Sequence, residues 1–312
     1  MMLDFLFIAA GLAILIVAGG YLVRGAVSLA LRLGIPALIV SLTIVAFGTS
    51  APELLVAVQS ALEGAPGIAF GNVVGSNIAN VLLVLGLPAL IAGIDTTKAD
   101  MRSYWVMLGV SAGFIALCYL GHFGPLQGGL LLLALAVIIL DAIKSSKAEV
   151  DSTNAEGIES GDPDMPGAKI AFFLLAGLIG LPIGAHLLIE GAVAVARDMN
   201  VSETVIGLTI VAVGTSLPEL ATSVVAAMKK QSDVAIGNVI GSNIFNILAI
   251  MGVASFFGPL AVPQQLINVD VWVMIGVSIV LLPFLLRNSP ITRLWGIAFV
   301  SAYGFYVTVL IL

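Results

Sequence analysis

The sequence predicts an all-α polytopic membrane protein with ten transmembrane helices, arranged as two inverted five-helix repeats. Three observations carry that prediction. First, the 312 residues are 60% hydrophobic and only 10% charged, with a mean hydropathy of +1.16, which no ordinary soluble domain shows. Second, the chain repeats itself: TIVAFGTSAPEL at Thr43 to Leu54 returns 166 positions later as TIVAVGTSLPEL at Thr209 to Leu220. GNVVGSNIAN at Gly71 to Asn80 returns at the same offset as GNVIGSNIFN at Gly237 to Asn246. Third, the cations alternate along the chain in a way that an odd number of spans per copy explains.

Apolar runs of roughly 18 to 25 residues are long enough to cross a hydrocarbon core about 30 Å thick as helices. In the first copy they fall near residues 3–23, 37–62, 67–92, 103–120 and 125–143. The first lacks a basic start, carries Asp4 and reaches Arg24 without a clear cleavage site, so it reads as a retained helix and not as a signal peptide. Five more runs follow near 168–188, 204–228, 234–259, 269–286 and 291–312. The domains are then a first repeat over 1–144, an acidic linker over 145–167 and a second repeat over 168–312. In the linker, Glu149, Asp151, Glu156, Glu159, Asp162 and Asp164 stand among Gly and Pro; low hydrophobicity with like charge reads as a solvated connector and not as a calcium-binding domain.

With the N-terminus outside, Arg24, Arg32, Lys98, Arg102, Lys144, Lys147, Lys169, Lys229, Lys230, Arg287 and Arg293 all fall in cytoplasmic loops, and only Arg197 falls outside. Both termini are expected to be extracytoplasmic, the linker cytoplasmic, and the location the plasma (inner) membrane. Five spans per copy make the second copy enter from the opposite face, so a pseudo-two-fold axis in the membrane plane relates the halves, as in secondary transporters.

The chemistry sits in the repeated motifs. An intramembrane carboxylate is expensive and functional by default, and here it occurs twice, as Glu53 and Glu219. Helical spacing puts Ala46, Ser50 and Glu53 on one stripe, with Thr49 beside them and Ser76 and Asn80 four apart on the next segment. The second copy repeats the register with Ala212, Thr215, Ser216, Glu219, Ser242 and Asn246. Pro52 and Pro218 directly precede the glutamates, and a proline inside a helix frees a carbonyl one turn earlier. Gly48, Gly71, Gly75, Gly214, Gly237 and Gly241 are expected to let the striped helices approach closely. Carboxylate, hydroxyl, amide and carbonyl oxygens, with no thiolate or imidazole, suit hard cations such as calcium and sodium. Two glutamates match the charge of one divalent ion.

GTSAPEL and GTSLPEL, each followed by GNVxGSN with Asn three residues further, resemble the two alpha repeats of the sodium/calcium exchanger branch of the calcium/cation antiporter superfamily. The resemblance covers nearly the whole chain; residues 41–55 and 207–221 are identical at 11 of 15 positions. It implies that Glu53 and Glu219 are the central ion ligands, with Thr49, Ser50, Thr215, Ser216, the carbonyls of Ala46 and Ala212, Ser76, Asn80, Ser242 and Asn246. It also implies alternating access in which three sodium ions or one calcium ion occupy overlapping sites, electrogenic exchange, and the first and sixth helices sliding as a gate. Several relatives in that superfamily, potassium-dependent exchangers and some archaeal ones among them, carry Asp where this chain has Asn246, and proton-coupled ones usually carry an acidic residue where it has Gly75 and Gly241. Sodium is therefore the expected driving ion, with proton-coupled or potassium-dependent antiport as the alternative.

The remaining polar residues read differently. Each motif hydroxyl is either a ligand or a back-bond to a carbonyl one turn earlier. Asn72 and Asn238 read as close-packing or capping residues, and Asn77 and Asn243 as either structural or liganding. His122 and His186 are incidental, Arg24 and Glu190 interfacial anchors, and Cys118, the lone cysteine, forms no internal disulfide. An intramembrane protease would need a nucleophile with its base or paired aspartates, and neither is present. A passive channel is disfavoured because one chain closes its own pseudo-symmetry. The expectation is a transporter and not an enzyme, with no cofactor, with calcium and sodium as cargo, with lipid and inorganic cations as partners, without nucleic acid, and with a monomer sufficient.

Overall fold

The structure, a computed structural model, describes residues 2–34, 40–149, 162, 164–199 and 212–311. Most of the acidic linker, residues 37–39 of the second expected span and residues 204–211 of the seventh lie outside the described residues. The first copy runs α1 (Met2–Leu33), a π turn (Ser41–Val45), α2 (Ala46–Thr49), α3 (Ala51–Leu62), α4 (Pro66–Ala79), a π turn (Asn80–Val84), α5 (Gly86–Ala92), α6 (Met101–Cys118) and α7 (Pro125–Glu149). The second runs α8 (Gly167–Asp198), α9 (Ala212–Thr215), α10 (Leu217–Met228), α11 (Ser232–Phe245), a π turn (Asn246–Ile250), α12 (Met251–Ala254), a further π turn (Leu266–Asp270), α13 (Val271–Val280), α14 (Leu282–Leu286) and α15 (Arg293–Ile311).

Among the described residues, eight helices are long and apolar enough to cross a membrane. The second and seventh expected spans differ: each is broken within its motif, leaving Ala51–Leu62 and Leu217–Met228 as shorter apolar helices. A second correction concerns the cations. α1 and α8 each continue for 32 residues, about 48 Å at 1.5 Å per residue and well beyond a core about 30 Å thick. Arg24 and Arg32 therefore ride on α1, and Lys169 and Arg197 on α8, instead of lying in loops. Arg102, Lys144, Lys147 and Arg293 are also helical.

The two long helices show how the copies are related. A Cβ at Gly11 of α1 would sit 2.6 Å from the backbone nitrogen of Leu188, and one at Gly177 of α8, the equivalent position, 2.6 Å from the Cβ of Leu22, the equivalent of Leu188. Gly25 faces Leu174 and its equivalent Gly191 faces Ile8. Partners advance along α1 as they recede along α8, so the helices are antiparallel, and each contact has a reciprocal twin. That pattern is the signature of a two-fold axis between equivalent surfaces. Small residues permit the backbone-to-backbone approach that packing in lipid requires.

The same axis organises the centre. Every residue of α11 from Val234 to Phe245 is buried, and the helix is lined all round by other elements. α4 is its counterpart, with Phe70, Val73, Val74, Ile78 and Ala79 buried. At the periphery, α15 turns Leu294, Ile297, Phe305 and Val309 outward, as a lipid-facing helix does. Two short ties close the ends: the strands His122–Phe123 and Leu260–Ala261 pair antiparallel, and Ile94 bridges Ile291. His122 thus lies in a strand pair, exposed.

Candidate cation site

The break in each motif sets the geometry of the site. α2 ends at Thr49, Ser50 leaves helical geometry with φ −85° and ψ 8°, and α3 starts afresh at Ala51. Ser216 does the same at φ −85° and ψ 5° between α9 and α10. The cause is local: glycine, two hydroxyl residues, one apolar residue and then a proline whose nitrogen offers no hydrogen to the ladder. Pro52 and Pro218 thus stand in the first turn of a new helix, where proline is well tolerated, and not inside a continuous one as the sequence suggested. Glu53 and Glu219 fall in that same first turn, where the positive end of the helix dipole favours a carboxylate. The carbonyl end of the preceding short helix faces the break from the other side, and such half-helix ends attract cations.

Each fresh helix is then clamped at its glutamate. The amide Nδ2 of Asn72 donates to the backbone carbonyl of Glu53 at 3.0 Å, and Asn238 donates to the carbonyl of Glu219 at 3.4 Å and to Ser223 Oγ at 3.3 Å. These two asparagines are therefore supports, as the sequence suggested. Gly48 and Gly214 lie against α8: a Cβ there would meet Leu178 Cδ2 and Ile189 Cδ1 respectively, and those side-chain ends would have to shift. Gly71 and Gly75 do not serve a close approach, since a Cβ at either would meet nothing within 4 Å.

Around the breaks the motif side chains converge from both copies. Glu53 and Glu219 are each 1% exposed. Ser50 Oγ donates across the copies to Glu219 Oε1 at 3.1 Å. Thr49 Oγ1 lies 3.3 Å from the Ala46 carbonyl, to which it donates, and 3.5 Å from Asn238 Oδ1. Ala46 also accepts from the Ser50 backbone at 3.0 Å, so its carbonyl already holds two donors. Ser76, Asn80, Ser216, Ser242 and Asn246 are all buried, Thr215 is half-buried, and Ala212 opens α9 with its backbone. The two asparagines each open a π turn, a local widening that recurs at functional sites. α3 packs on the π turn that begins at Asn246, and α10 on the one that begins at Asn80, so each glutamate helix meets the π turn of the other copy.

The decisive feature is which buried atoms lack a partner. Among the described residues they are Glu53 Oε2, Glu219 Oε2, Asn80 Oδ1, Asn246 Oδ1, Ser216 Oγ and Ser242 Oγ. All are oxygens, all belong to the duplicated motifs, and each would be costly to leave unsatisfied in a buried site. A hard cation satisfies such a set, since carboxylate, amide and hydroxyl oxygens are the ligands it prefers. No group of three or more His, Cys, Asp or Glu that could hold a metal occurs among the described residues, and four of the six partnerless oxygens are neutral.

Sequence reasoning left Asn77 and Asn243 open, and the structure places both at the centre of the polar layer, each 1% exposed. Their identical offset in the duplicated motif was the available signal.

Comparison with known proteins matches residues 3–144 and 169–312 to the family model described as sodium/calcium exchanger protein. The chain is 33% identical over 349 residues to the sodium/calcium exchanger MaX1 of Methanosarcina acetivorans, covering 98% of each. It is 35% identical over 288 residues to the inner membrane protein YrbG of Escherichia coli K12, covering 90% of this chain and 88% of that one. Among solved structures, the sodium-calcium exchanger NCX_Mj soaked with 2.5 mM Na+ and 0.1 mM Ca2+ superposes with a TM-score of 0.83 at 32% identity, covering 99% of this chain and 98% of that one. The same protein soaked without either ion gives a TM-score of 0.84.

Proposed function

The chain belongs to the sodium/calcium exchanger family, and from that premise we propose that it is a secondary active antiporter exchanging sodium for calcium across the membrane. The observation that carries the reading is the set of six partnerless buried oxygens drawn from the two copies. Glu53 and Glu219 supply the charge that one divalent cation neutralises. Thr49, Ser50, Thr215, Ser216, Ser76, Ser242, Asn80, Asn246 and the carbonyls of Ala46 and Ala212 complete overlapping sites for one calcium ion or three sodium ions.

Exchange follows from competition. Two buried carboxylates without a cation are costly to carry through an occluded state, because an unpaired buried charge has lost its water without gaining a partner. Loading with either ion removes that penalty, so the loaded site crosses between inward-open and outward-open states and the empty one does not. Three sodium ions against one calcium ion move net charge, which makes transport voltage-sensitive. α1 and α8, the first and sixth expected spans, pack on one another through a glycine-lined seam and would slide across the rest of the bundle as the gate. Ten spans, two five-helix repeats over 1–144 and 168–312 joined by a cytoplasmic linker, extracytoplasmic termini and residence in the plasma or inner membrane complete the proposal.

Reconstituted vesicles loaded with sodium and diluted into sodium-free medium should take up radioactive calcium, and dissipating the sodium gradient should stop it. A proton gradient alone should drive none. Uptake driven by protons without sodium would overturn the sodium assignment.

A further inference from the structure

Four of the six asparagines in the GNVxGSNxxN motifs, Asn77, Asn80, Asn243 and Asn246, form one closed network in which every amide has a forced direction. Asn77 Nδ2 donates to the backbone carbonyl of Asn243 at 3.3 Å and also lies 3.6 Å from Met274 Sδ. Asn243 Nδ2 returns the bond to the carbonyl of Asn77 at 3.4 Å and lies 3.7 Å from Met107 Sδ. A backbone carbonyl only accepts, so the amino group of each inner asparagine has to face it and the Oδ1 has to face the other way. That Oδ1 then accepts from the neighbouring asparagine: Asn246 Nδ2 donates to Asn77 Oδ1 at 3.0 Å, and Asn80 Nδ2 to Asn243 Oδ1 at 3.0 Å. With their amino groups engaged, Asn246 and Asn80 are left presenting Oδ1, the two amide oxygens that lack a partner.

We propose that Asn77 and Asn243 are positioning residues that lock the amides of Asn246 and Asn80 with oxygen, and not the amino group, toward the transported cation. The inference rests on the reading of Asn80 and Asn246 as cation ligands. An amide is nearly symmetric in shape but not in polarity, and rotating it by half a turn would replace an acceptor with two donors and repel the ion. All four side chains are 1% exposed, so no solvent is at hand to hold the amides instead. The lock on each ligand comes from the opposite copy, so the two half-sites acquire their polarity together.

A carboxylate presents oxygen whichever way it turns, and it therefore needs no polarity lock. The test is a double-mutant cycle of Asn77→Ala and Asn246→Asp, read by calcium-binding isotherms and sodium-driven calcium uptake in vesicles, with melting of the cation-free protein as the folding control. Asn77→Ala alone should weaken calcium binding about tenfold, the order of one lost hydrogen bond to a liganding amide. In the Asn246→Asp background, the same change should weaken it less than about threefold or strengthen it, because the introduced carboxylate has no amino group to be held and is relieved of an opposing Oδ1. Equal losses in both backgrounds would mean that Asn77 only packs the core and would overturn the proposal. If Asn77→Ala does not fold, the twin cycle of Asn243→Ala with Asn80→Asp decides by the same criterion. Wild-type binding and uptake in Asn246→Ala would instead remove the ligand reading, and it leaves a signature distinct from failure of the lock.

Discussion

Replacing Glu53 or Glu219 with Gln keeps shape and one oxygen while deleting a charge, and the structure sets the size of the effect. Both side chains are 1% exposed, so the effective dielectric is that of a protein interior and not of water. At an effective dielectric of about 20 and a separation of about 4 Å, a unit charge pair is worth about 4 kcal/mol, and a divalent cation doubles it. Even half of that total is about 4 kcal/mol, roughly a thousandfold in affinity. Calcium titration of detergent-solubilised Glu219→Gln or Glu53→Gln should therefore show binding weakened by about a thousandfold, and sodium-driven calcium uptake should vanish. The cation-free protein should melt no lower than wild type, because the substitution removes a buried carboxylate with a partnerless oxygen. Added calcium should raise the melting temperature of wild type but not of either variant. A loss of affinity below tenfold, or a large drop in cation-free stability, would show that the carboxylates serve the fold and would refute the reasoning.

Three further outcomes follow from the same geometry. Gly11→Leu places a Cβ 2.6 Å from the Leu188 backbone nitrogen and 2.7 Å from the Gly184 carbonyl, so it should lower stability by about 1–3 kcal/mol and slow uptake, measured by thermal melting and vesicle flux. Gly75→Ala, whose Cβ would meet nothing within 4 Å, should leave melting close to that of wild type despite its place in the motif. Asn238→Ala removes the bonds to the Glu219 carbonyl and Ser223 Oγ and should lower stability by about 1–2 kcal/mol, checked by denaturation of the cation-free protein.

Much of the site was legible because polar residues are costly at membrane depth and stand out against an apolar background. Glu53, Glu219, Ser50, Ser216, Ser76, Ser242, Asn80 and Asn246 are all buried where the motif spacing put them together. The support role of Asn72 and Asn238 was legible as well, since both read as close-packing or capping residues and each bonds the carbonyl of its own copy's glutamate. Asn77 and Asn243 could not be assigned, because the direction of an amide depends on a partner in the other copy. The fold shows a similar boundary. Apolar runs located the spans, but hydropathy averages over a window and is blind to a short break, so the motif segments read as continuous helices. It is equally blind to a helix that leaves the bilayer, which is why α1 and α8 run beyond their expected ends.

The sequence by itself determined the membrane class, the duplication, the oxygen-rich chemistry of the motifs and the inversion expected of five spans per copy, because each follows from composition, offset or charge along one chain. Only the tertiary structure decided that α1 and α8 pack antiparallel through reciprocal glycine contacts, that each motif helix breaks at its serine, and that Asn77 and Asn243 each accept a hydrogen bond from the outer asparagine of the opposite copy. Those features depend on groups far apart in sequence meeting across a two-fold axis, and no local pattern encodes which partner a glycine or an amide will find.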